Sequence, residues 1–115
     1  MQNFDDHLAE LRQKYDKNKE HCGFIMPSGV LEVDNVAVDP SCFFEIRESD
    51  ADRYLAKCMA TWHTHTSNSS NLSIEDLQLF QALKDCYHVI ISHYEIWLYY
   101  TDNNGVVLVE ERYHA

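Results

Sequence analysis

Two histidines and a carboxylate further along the chain have the side-chain types and the spacing needed to hold a metal ion. One residue separates His63 from His65, seven residues lead from His65 to Ser73, and two more separate Ser73 from Asp76. If the histidines end a strand, their spacing of two puts both imidazoles on the same side. Asp76 would then lie in the first turn of the next helix, where its carboxylate can reach back toward the strand end.

The chemistry expected from such a cluster is hydrolysis. Two neutral imidazoles and one carboxylate leave the fourth position of a tetrahedral zinc ion open for water. Zinc lowers the pKa of that water from about 15.7 to about 7, so hydroxide becomes available at neutral pH. A carboxylate that is not a ligand must then carry the proton to the leaving group. Glu20, just before the apolar run Cys22–Met26, is the candidate by position.

Each part of this set has a simpler explanation when it is taken alone. An H-x-H pair is a weak signal in a chain with seven histidines. Ser73 and Asp76 fit a capping box at a helix N-terminus, and Glu20 fits a polar connector. The remaining histidines have no ligand spacing and are assigned no role; they are His7, His21, His88, His93 and His114. The prediction of a metal site therefore depends on the combination.

The elements that must position these residues follow from periodicity, turn residues and caps. The predicted helices are Asn3–Lys17, Asp50–Lys57 with Ser49 and Asp52 as its capping box, and one opening at Ser73 with Ile74, Leu77, Phe80 and Leu83 toward the core. The predicted strands are Cys22–Met26, Val30–Val38, Phe43–Ile46, Met59–His63, Tyr87–Ser92, Glu95–Tyr100 and Val106–Glu110. The segment Asp102–Gly105 predicts a tight turn before the last strand. This order predicts an α/β domain with a mixed, largely antiparallel sheet flanked by helices.

The pattern His63-x-His65, seven residues, Ser73-x-x-Asp76, with Glu20-His21-Cys22-Gly23 upstream, resembles the JAMM signature of the MPN-domain metalloproteases. The likeness extends from about Tyr15 to Gly105. Among subfamilies it most resembles the N-terminal domain of the phage tail assembly protein K. The resemblance implies a cytidine-deaminase-like α/β fold.

The resemblance also implies a role for each matched residue. His63, His65 and Asp76 would bind Zn²⁺, Glu20 would act as the general acid and base, and Ser73 would support the oxyanion of the tetrahedral intermediate. The implied activity is cleavage of a peptide or isopeptide bond in a protein substrate. Other phage tail proteins are implied partners, and the bacterial cytoplasm or the virion tail is the implied location.

Two features depart from the family pattern. Thr64 stands where serine is common, although a hydroxyl remains. The Ser/Asn-rich loop Thr66–Asn71 has no proline, which predicts a more mobile or differently shaped substrate cleft. Insertions that grip ubiquitin are not evident in so short a chain, so a dedicated deubiquitinase is disfavoured.

The length and net charge of the chain limit its domain number and its possible partners. The 115 residues are the size of one domain, predicted over 1–115. The net charge of −10 argues against nucleic acid or an anionic membrane as a partner. No secretory signal accompanies the four cysteines, so we expect reduced, mostly buried thiols in a cytosolic protein.

Two further functional interpretations remain open from the sequence. The chain could be a non-enzymatic tail-assembly module, which an exposed apolar sheet edge at Val106–Val109 would favour. It could also be a bacterial protease that processes a small ubiquitin-like sulfur carrier. A zinc deaminase is set aside because the chain has no P-C-x-x-C motif.

Overall fold

A computed structural model describes residues 1–114, and within them it contains a six-stranded sheet and three helices. The helices are α1 (Leu8–Arg12, preceded by a 3₁₀ turn at Phe4–His7), α2 (Glu48–Tyr54) and α3 (Ile74–Ala82). The strands are β1 (Cys22–Met26), β2 (Gly29–Val33), β3 (Ala60–Thr64), β4 (Tyr87–Ile91), β5 (Glu95–Asp102) and β6 (Gly105–Tyr113).

The sheet is mixed and largely antiparallel, which confirms the predicted α/β class. Its strand order is β2-β1-β3-β4-β5-β6. Only the central pair β3 and β4 is parallel within the described chain, and every other neighbour pair is antiparallel. Parallel neighbours need a crossover connection, and α3 supplies it here. The crossover places the start of α3 beside the end of β3.

Two apolar clusters cover the two faces of the sheet. On one face the N-terminal helical segment packs against the central strands, and the cluster includes Phe4, Leu11, Ile25, Trp62, Ile91 and Leu98. On the other face Phe80 of α3 packs against Ile90, Trp97 and Tyr99. Because side chains alternate along a strand, Trp62 faces the first cluster and His63 faces the side of α3.

Gly23 is required where β1 passes under the indole of Trp62. The Trp62 Nε1–H donates a hydrogen bond to the Leu31 carbonyl across this glycine, at 3.1 Å. A Cβ on Gly23 would lie 2.0 Å from that carbonyl oxygen and 2.9 Å from Nε1. The strand therefore tolerates no side chain at this position.

The N-terminal helix is shorter than predicted. Periodicity predicted helix over Asn3–Lys17, but α1 ends at Arg12 and the chain leaves through turns at Lys14 and Tyr15. The predicted core face is correct, because Phe4 and Leu11 are buried while Leu8 and Tyr15 pack against the same cluster. The helix ends early because Tyr15 reaches the loop after β3, where its hydroxyl donates to the Thr66 carbonyl at 3.2 Å.

The strand predicted over Val30–Val38 ends at Val33, and the strand predicted over Phe43–Ile46 is only a bridge between Asn35 and Ile46. The side chain of Asn35 explains both differences. Its Oδ1 accepts the backbone N–H groups of Ala37 and Glu45, each at 3.0 Å. These bonds replace the ladder of a regular strand pair.

The helix predicted over Asp50–Lys57 begins earlier, at Glu48, and ends at Tyr54. Its N-cap is Arg47, with no side-chain capping bond, so the predicted capping box of Ser49 and Asp52 is wrong. The carbonyl of Arg47 instead accepts the N–H groups of Asp50 and Ala51. The acidic residues Glu48 and Asp50 in the first turn suit the positive end of the helix dipole. Ser49 therefore lies within the helix and does not cap it.

The core-facing side of α3 also differs from the prediction. Phe80 is buried and Leu83 is half-buried, as predicted, but Ile74 is 74% exposed and Leu77 is 37% exposed. Asp76 is buried in their place. The apolar pattern failed because a carboxylate, rather than an apolar side chain, fills the inward position in the first turn.

The C-terminal hairpin follows the predicted turn. Asp102 pairs with Gly105 across the two-residue loop Asn103-Asn104, and Gly105 has a φ of 131° that favours glycine. β5 and β6 are both longer than predicted. The four cysteines are free thiols, but the expectation that most are buried is wrong, because Cys42 is exposed and Cys58 and Cys86 are half-buried.

No helix among residues 1–114 has both the length and the apolar character needed to cross a bilayer.

Candidate metal centre

The end of β3 and the start of α3 bring the three predicted ligands together. The His65 N–H bonds to the Ile91 carbonyl at 2.8 Å, which extends the parallel pairing one residue beyond β3 and keeps both imidazoles on one side. His63 Nε2 lies 3.0 Å from Asp76 Oδ1, and His65 Nε2 lies 2.8 Å from Asp76 Oδ2. The two Nε2 atoms are 3.3 Å apart. His63 and Asp76 are buried, and the side chain of His65 is 12% exposed.

The tautomer of His65 is fixed by the backbone of the following loop. Its Nδ1 lies 2.9 Å from the Ser69 carbonyl oxygen, which can only accept, so Nδ1 carries a hydrogen. In the neutral ring Nε2 would then present a lone pair to Asp76 Oδ2. A proton or a cation must lie between these two atoms to offset their repulsion. Without a metal ion, burial opposes the charged ring, but the contact with Asp76 outweighs burial and raises the pKa of His65, so that Nε2 can donate to Oδ2.

The spacing of the donor atoms suits a single small cation. Nitrogen ligands at about 2.0–2.1 Å from a tetrahedral zinc ion lie about 3.3 Å from each other, as the two Nε2 atoms do. The candidate ligand atoms of His63, His65 and Asp76 all lie within 4.8 Å of one another. These residues therefore form a cluster that could hold a metal ion.

Asp76 takes part in a capping box and in the cluster at the same time. Its N–H donates to Ser73 Oγ at 3.0 Å, and its Oδ2 accepts from the Ser73 N–H at 3.2 Å. Burial opposes the charge of the carboxylate, but hydrogen bonds from His63 and His65 outweigh burial and lower the pKa of Asp76. The capping interpretation is therefore correct, and it is compatible with a ligand role, because the same carboxylate also faces His63 and His65.

Aromatic rings hold His63 from two sides. Phe44 stacks on its imidazole with ring centroids 4.1 Å apart, and Phe80 meets it edge-on at 6.0 Å. Burial lowers the pKa of His63, although Asp76 partly opposes this effect. The ring is therefore neutral, which is the form that binds metals.

A second buried histidine, His88, packs against Phe80. His88 stacks on Phe80 with centroids 4.0 Å apart, and its Nδ1 lies 2.6 Å from Thr61 Oγ1. Burial lowers the pKa of His88 to about 4. His88 lies outside the three-ligand cluster, in agreement with its lack of ligand spacing.

Glu20 lies in the same cavity as His65 and Asp76. The segment before β1 is held there because the His21 carbonyl accepts the Thr64 N–H at 2.9 Å and Thr64 Oγ1 accepts the His21 N–H at 2.8 Å. The Thr64 hydroxyl thus has a structural partner. Glu20 is 7% exposed, and burial raises its pKa to about 8, with His65 opposing and Asp76 adding to the shift.

Ser73 lines this cavity too. Its hydroxyl oxygen already accepts the Asp76 N–H, so the hydroxyl hydrogen is the group that it can still offer. The structure therefore brings the five predicted site residues together: four line this cavity, and His63 is buried behind it, in contact with Asp76. The five residues are Glu20, His63, His65, Ser73 and Asp76.

The loop between β3 and α3 is anchored at Ser70. This residue is fully buried, its N–H donates to Glu95 Oε1 at 2.9 Å and its carbonyl accepts from the Tyr99 hydroxyl at 2.8 Å. The Ser70 hydroxyl donates to Ser92 Oγ at 3.0 Å. These bonds fix the neighbouring Ser69 carbonyl that orients His65.

Sequence reasoning missed the residues that orient the ligands. The Ser69 carbonyl left no signal, because any residue type supplies that group. Phe44 was predicted only as part of the strand Phe43–Ile46, with no expected contact to His63. Asn35, which donates to the Glu20 carbonyl at 2.8 Å and to the Phe43 carbonyl at 3.0 Å, links the Glu20 segment to the Phe44 segment. Only the fold reveals that link.

Comparison with known proteins shows the fold alone. No protein-family model matches the sequence, and no curated protein matches it. The chain is similar to the solution structure of protein DSY2949 from Desulfitobacterium hafniense, with a TM-score of 0.67 and 16% sequence identity. The similarity covers 91% of this chain and 86% of that one.

Proposed function

We propose that this protein is a zinc-dependent metallopeptidase of the JAMM type, with the corresponding MPN fold, that hydrolyses a peptide or isopeptide bond. The observation that carries the proposal is the convergence of His63 Nε2, His65 Nε2 and both carboxylate oxygens of Asp76 within hydrogen-bond distance. His/His/Asp ligand sets with an open position are typical of hydrolytic zinc sites. The buried Glu20 beside them supports the same conclusion.

In this proposal each side chain has one task. A zinc ion bound here would supply Lewis acidity that makes water reactive near neutral pH. Glu20 takes a proton from the attacking water and delivers it to the leaving nitrogen. Burial raises the pKa of Glu20 to about 8 without a metal ion, and the positive charge of a bound zinc ion would lower it toward neutrality. Ser73 offers its hydroxyl hydrogen to the oxygen that gains negative charge.

The test is cleavage of a proteome-derived peptide library, with new termini counted by mass spectrometry. The zinc-loaded protein should cleave the library, and Glu20→Gln should cut the rate by about 10²–10⁴ without lowering the zinc content. His65→Ala should lose both zinc and cleavage. Equal cleavage by the wild type and Glu20→Gln would remove Glu20 from the mechanism, and a protein that binds no zinc would end the proposal.

We place the activity in phage or prophage tail assembly, following the resemblance to the N-terminal domain of tail assembly protein K. The partners would then be a protein substrate and other tail proteins, in the bacterial cytoplasm or the virion tail. Genes that flank this one decide the setting. Tail genes support it, whereas a sulfur-carrier gene would point to processing of that carrier.

A second candidate is a non-enzymatic assembly module, and the exposed edge of the sheet favours it. β6 pairs only with β5 in the described chain, and Val107, Leu108 and Val109 on it are exposed. An unpaired strand edge with exposed apolar residues is a template for pairing with another chain. Cleavage of a co-purified tail protein by the wild type, and not by Glu20→Gln, would favour the peptidase.

A further inference from the structure

The cavity beside the metal cluster is mostly apolar. Its volume is about 610 Å³, within the range of about 300–1,000 Å³ typical of ligand sites. Glu20, His65 and Asp76 line it together with apolar side chains from β1, α2, α3 and the segment between β2 and α2. The large apolar residues are Phe24, Phe44, Ile46, Leu55, Leu79 and Leu83, besides the more exposed Phe43.

The apolar part of the cavity lies about one or two residues of an extended peptide away from the candidate ligand His63. Thr61 and Phe24 are register partners on β3 and β1 and line the cavity. Thr61 is two residues before His63 on the same face of β3, which is about 7 Å along the strand. An extended peptide advances about 3.3 Å per residue. A residue next to the scissile bond can therefore place its side chain here.

The charge around the cavity selects against acidic occupants. Glu45 and Glu75 line it in addition to Glu20 and Asp76, and the whole chain carries a net charge of −10. An acidic side chain would lose hydration and meet repulsion. A bulky apolar side chain would gain from burial against the six apolar residues.

We propose that this cavity is a specificity pocket for a bulky apolar side chain, such as leucine or phenylalanine, next to the scissile bond. This inference rests on the proposed peptidase function. It names the substrate class of that site: a peptide or protein segment that carries a large apolar residue, and no acidic residue, at the cleavage point.

Hydroxamates that coordinate zinc and carry one side chain test the pocket by binding rather than by turnover. N-acetyl amino-acid hydroxamates place the side chain on the acyl side of the bond, and succinyl hydroxamates place it on the leaving side. In one of the two series, leucine and phenylalanine side chains should bind the zinc-loaded protein at least about tenfold tighter than glycine, by calorimetry. The aspartate side chain should bind more weakly than glycine. Affinities within threefold across both series would overturn the proposal.

Two leucines on α3 give a matched pair of variants. Leu79 lines the cavity and is 40% exposed, whereas Leu77 is 37% exposed and is not among its lining residues. Leu79→Ser should cut the preference for leucine over glycine at least threefold. Leu77→Ser should leave it unchanged. Equal effects of the two substitutions would count against the pocket.

A metal-independent probe separates this proposal from the peptidase function. N-acetyl-leucine methylamide, added to metal-stripped protein, should shift the methyl NMR signals of Ile46, Leu55 and Leu79 more than the glycine analogue does. If zinc fails to bind while these shifts persist, the peptidase proposal fails and the apolar pocket stands. If zinc binds and the hydroxamate series is flat, the pocket fails alone. A dimer that Leu79→Ser dissociates would assign the cavity to a second copy and overturn the proposal.

Discussion

Asp76 is held by two sets of contacts that require the same orientation of its carboxylate. The Ser73 N–H binds Oδ2 from the helix side, while His65 and His63 approach Oδ2 and Oδ1 from β3. A ligand that is already hydrogen-bonded loses little conformational freedom when it binds a metal, and such supporting bonds tune metal affinity. The helix cap is therefore part of the candidate metal site.

This link predicts the effect of changing Ser73. Ser73→Ala should destabilise the protein by about 1 kcal/mol through the lost N-cap and lower zinc affinity about tenfold. Ser73→Thr keeps a capping hydroxyl and should retain most of both. Urea unfolding and competition with a zinc-binding dye measure the two effects. Loss of stability with unchanged zinc affinity would limit Ser73 to capping.

The ionised carboxylate of Glu20 serves the proposed activity but lowers the stability of the folded protein. Burial raises its pKa from 4.5 to about 8, so between these pH values the folded protein holds a proton that the unfolded chain has released. The contribution of Glu20 to the free energy of unfolding therefore falls as the pH rises through this window. The ionised form of Glu20 is therefore destabilising in the folded protein.

Glu20→Gln should consequently stabilise the metal-stripped protein, although it slows cleavage by the zinc-loaded protein. At pH 8 we expect a gain of roughly 2 kcal/mol, less than the full shift implies because the carboxylate faces a solvent-accessible cavity. The gain should vanish below about pH 4.5. Urea unfolding at several pH values measures it, and a gain that is independent of pH would contradict the assigned cause.

The loop between β3 and α3 is ordered by polar contacts in place of an apolar core. Ser70 is buried against Ser92, Glu95 and Tyr99, and its neighbour Ser69 orients His65. The polar composition of this loop thus serves to attach it to β5. Side chains of β5 thus hold Ser70, and the adjacent Ser69 carbonyl contacts the candidate ligand His65.

Tyr99→Phe tests this connection. It should cost about 1–2 kcal/mol, because the Ser70 carbonyl is left buried without its donor, and it should lower zinc affinity severalfold. The matched control is Tyr94→Phe, which removes a hydroxyl from an exposed ring and should change neither property. Zinc affinity that is insensitive to Tyr99→Phe would show that the anchor does not reach His65.

The close packing around Gly23 in β1 predicts that a side chain there destabilises the protein. Gly23→Ala should destabilise the protein by about 3 kcal/mol or more, because the new methyl group would collide with the Leu31 carbonyl and the Trp62 indole. Gly29 provides the comparison. A Cβ there meets no atom within 4 Å, and only its φ of 136° opposes a side chain, so Gly29→Ala should cost about 1 kcal/mol. Equal losses in urea unfolding would contradict this explanation.

Zinc binding should stabilise the molecule as a whole, because its ligands come from two elements that the crossover connects. At a free zinc concentration about 1,000 times the dissociation constant, the free energy of unfolding should rise by about 4 kcal/mol. For a chain of this size the Tm should rise by about 15 °C. Calorimetry with and without zinc measures the shift, and His65→Ala should show little of it. A Tm that is insensitive to zinc would exclude a bound ion.

Much of the fold was accessible from local patterns. The sheet class, the strands at Cys22–Met26 and near Tyr87–Ile91, the turn at Asp102–Gly105 and the buried face of Phe4 and Leu11 follow from alternation, turn residues and helical spacing. Two of the errors come from a polar side chain that takes the place of regular apolar or strand contacts. Asn35 ended a strand in this way, and Asp76 turned Ile74 outward on α3.

The candidate site, like the fold, was only partly predictable from the sequence. Residue type and spacing predicted His63, His65 and Asp76 as a ligand set, because residues on a strand end and in the next helical turn are local in sequence. Position suggested Glu20, and the family resemblance added a role for Ser73. Tertiary structure alone decided which atoms face each other, since the Ser69 carbonyl sets the His65 tautomer and Phe44 stacks on His63. It also decided that Glu20 is buried and that an apolar cavity adjoins the cluster, because both depend on segments that meet only after the chain has folded.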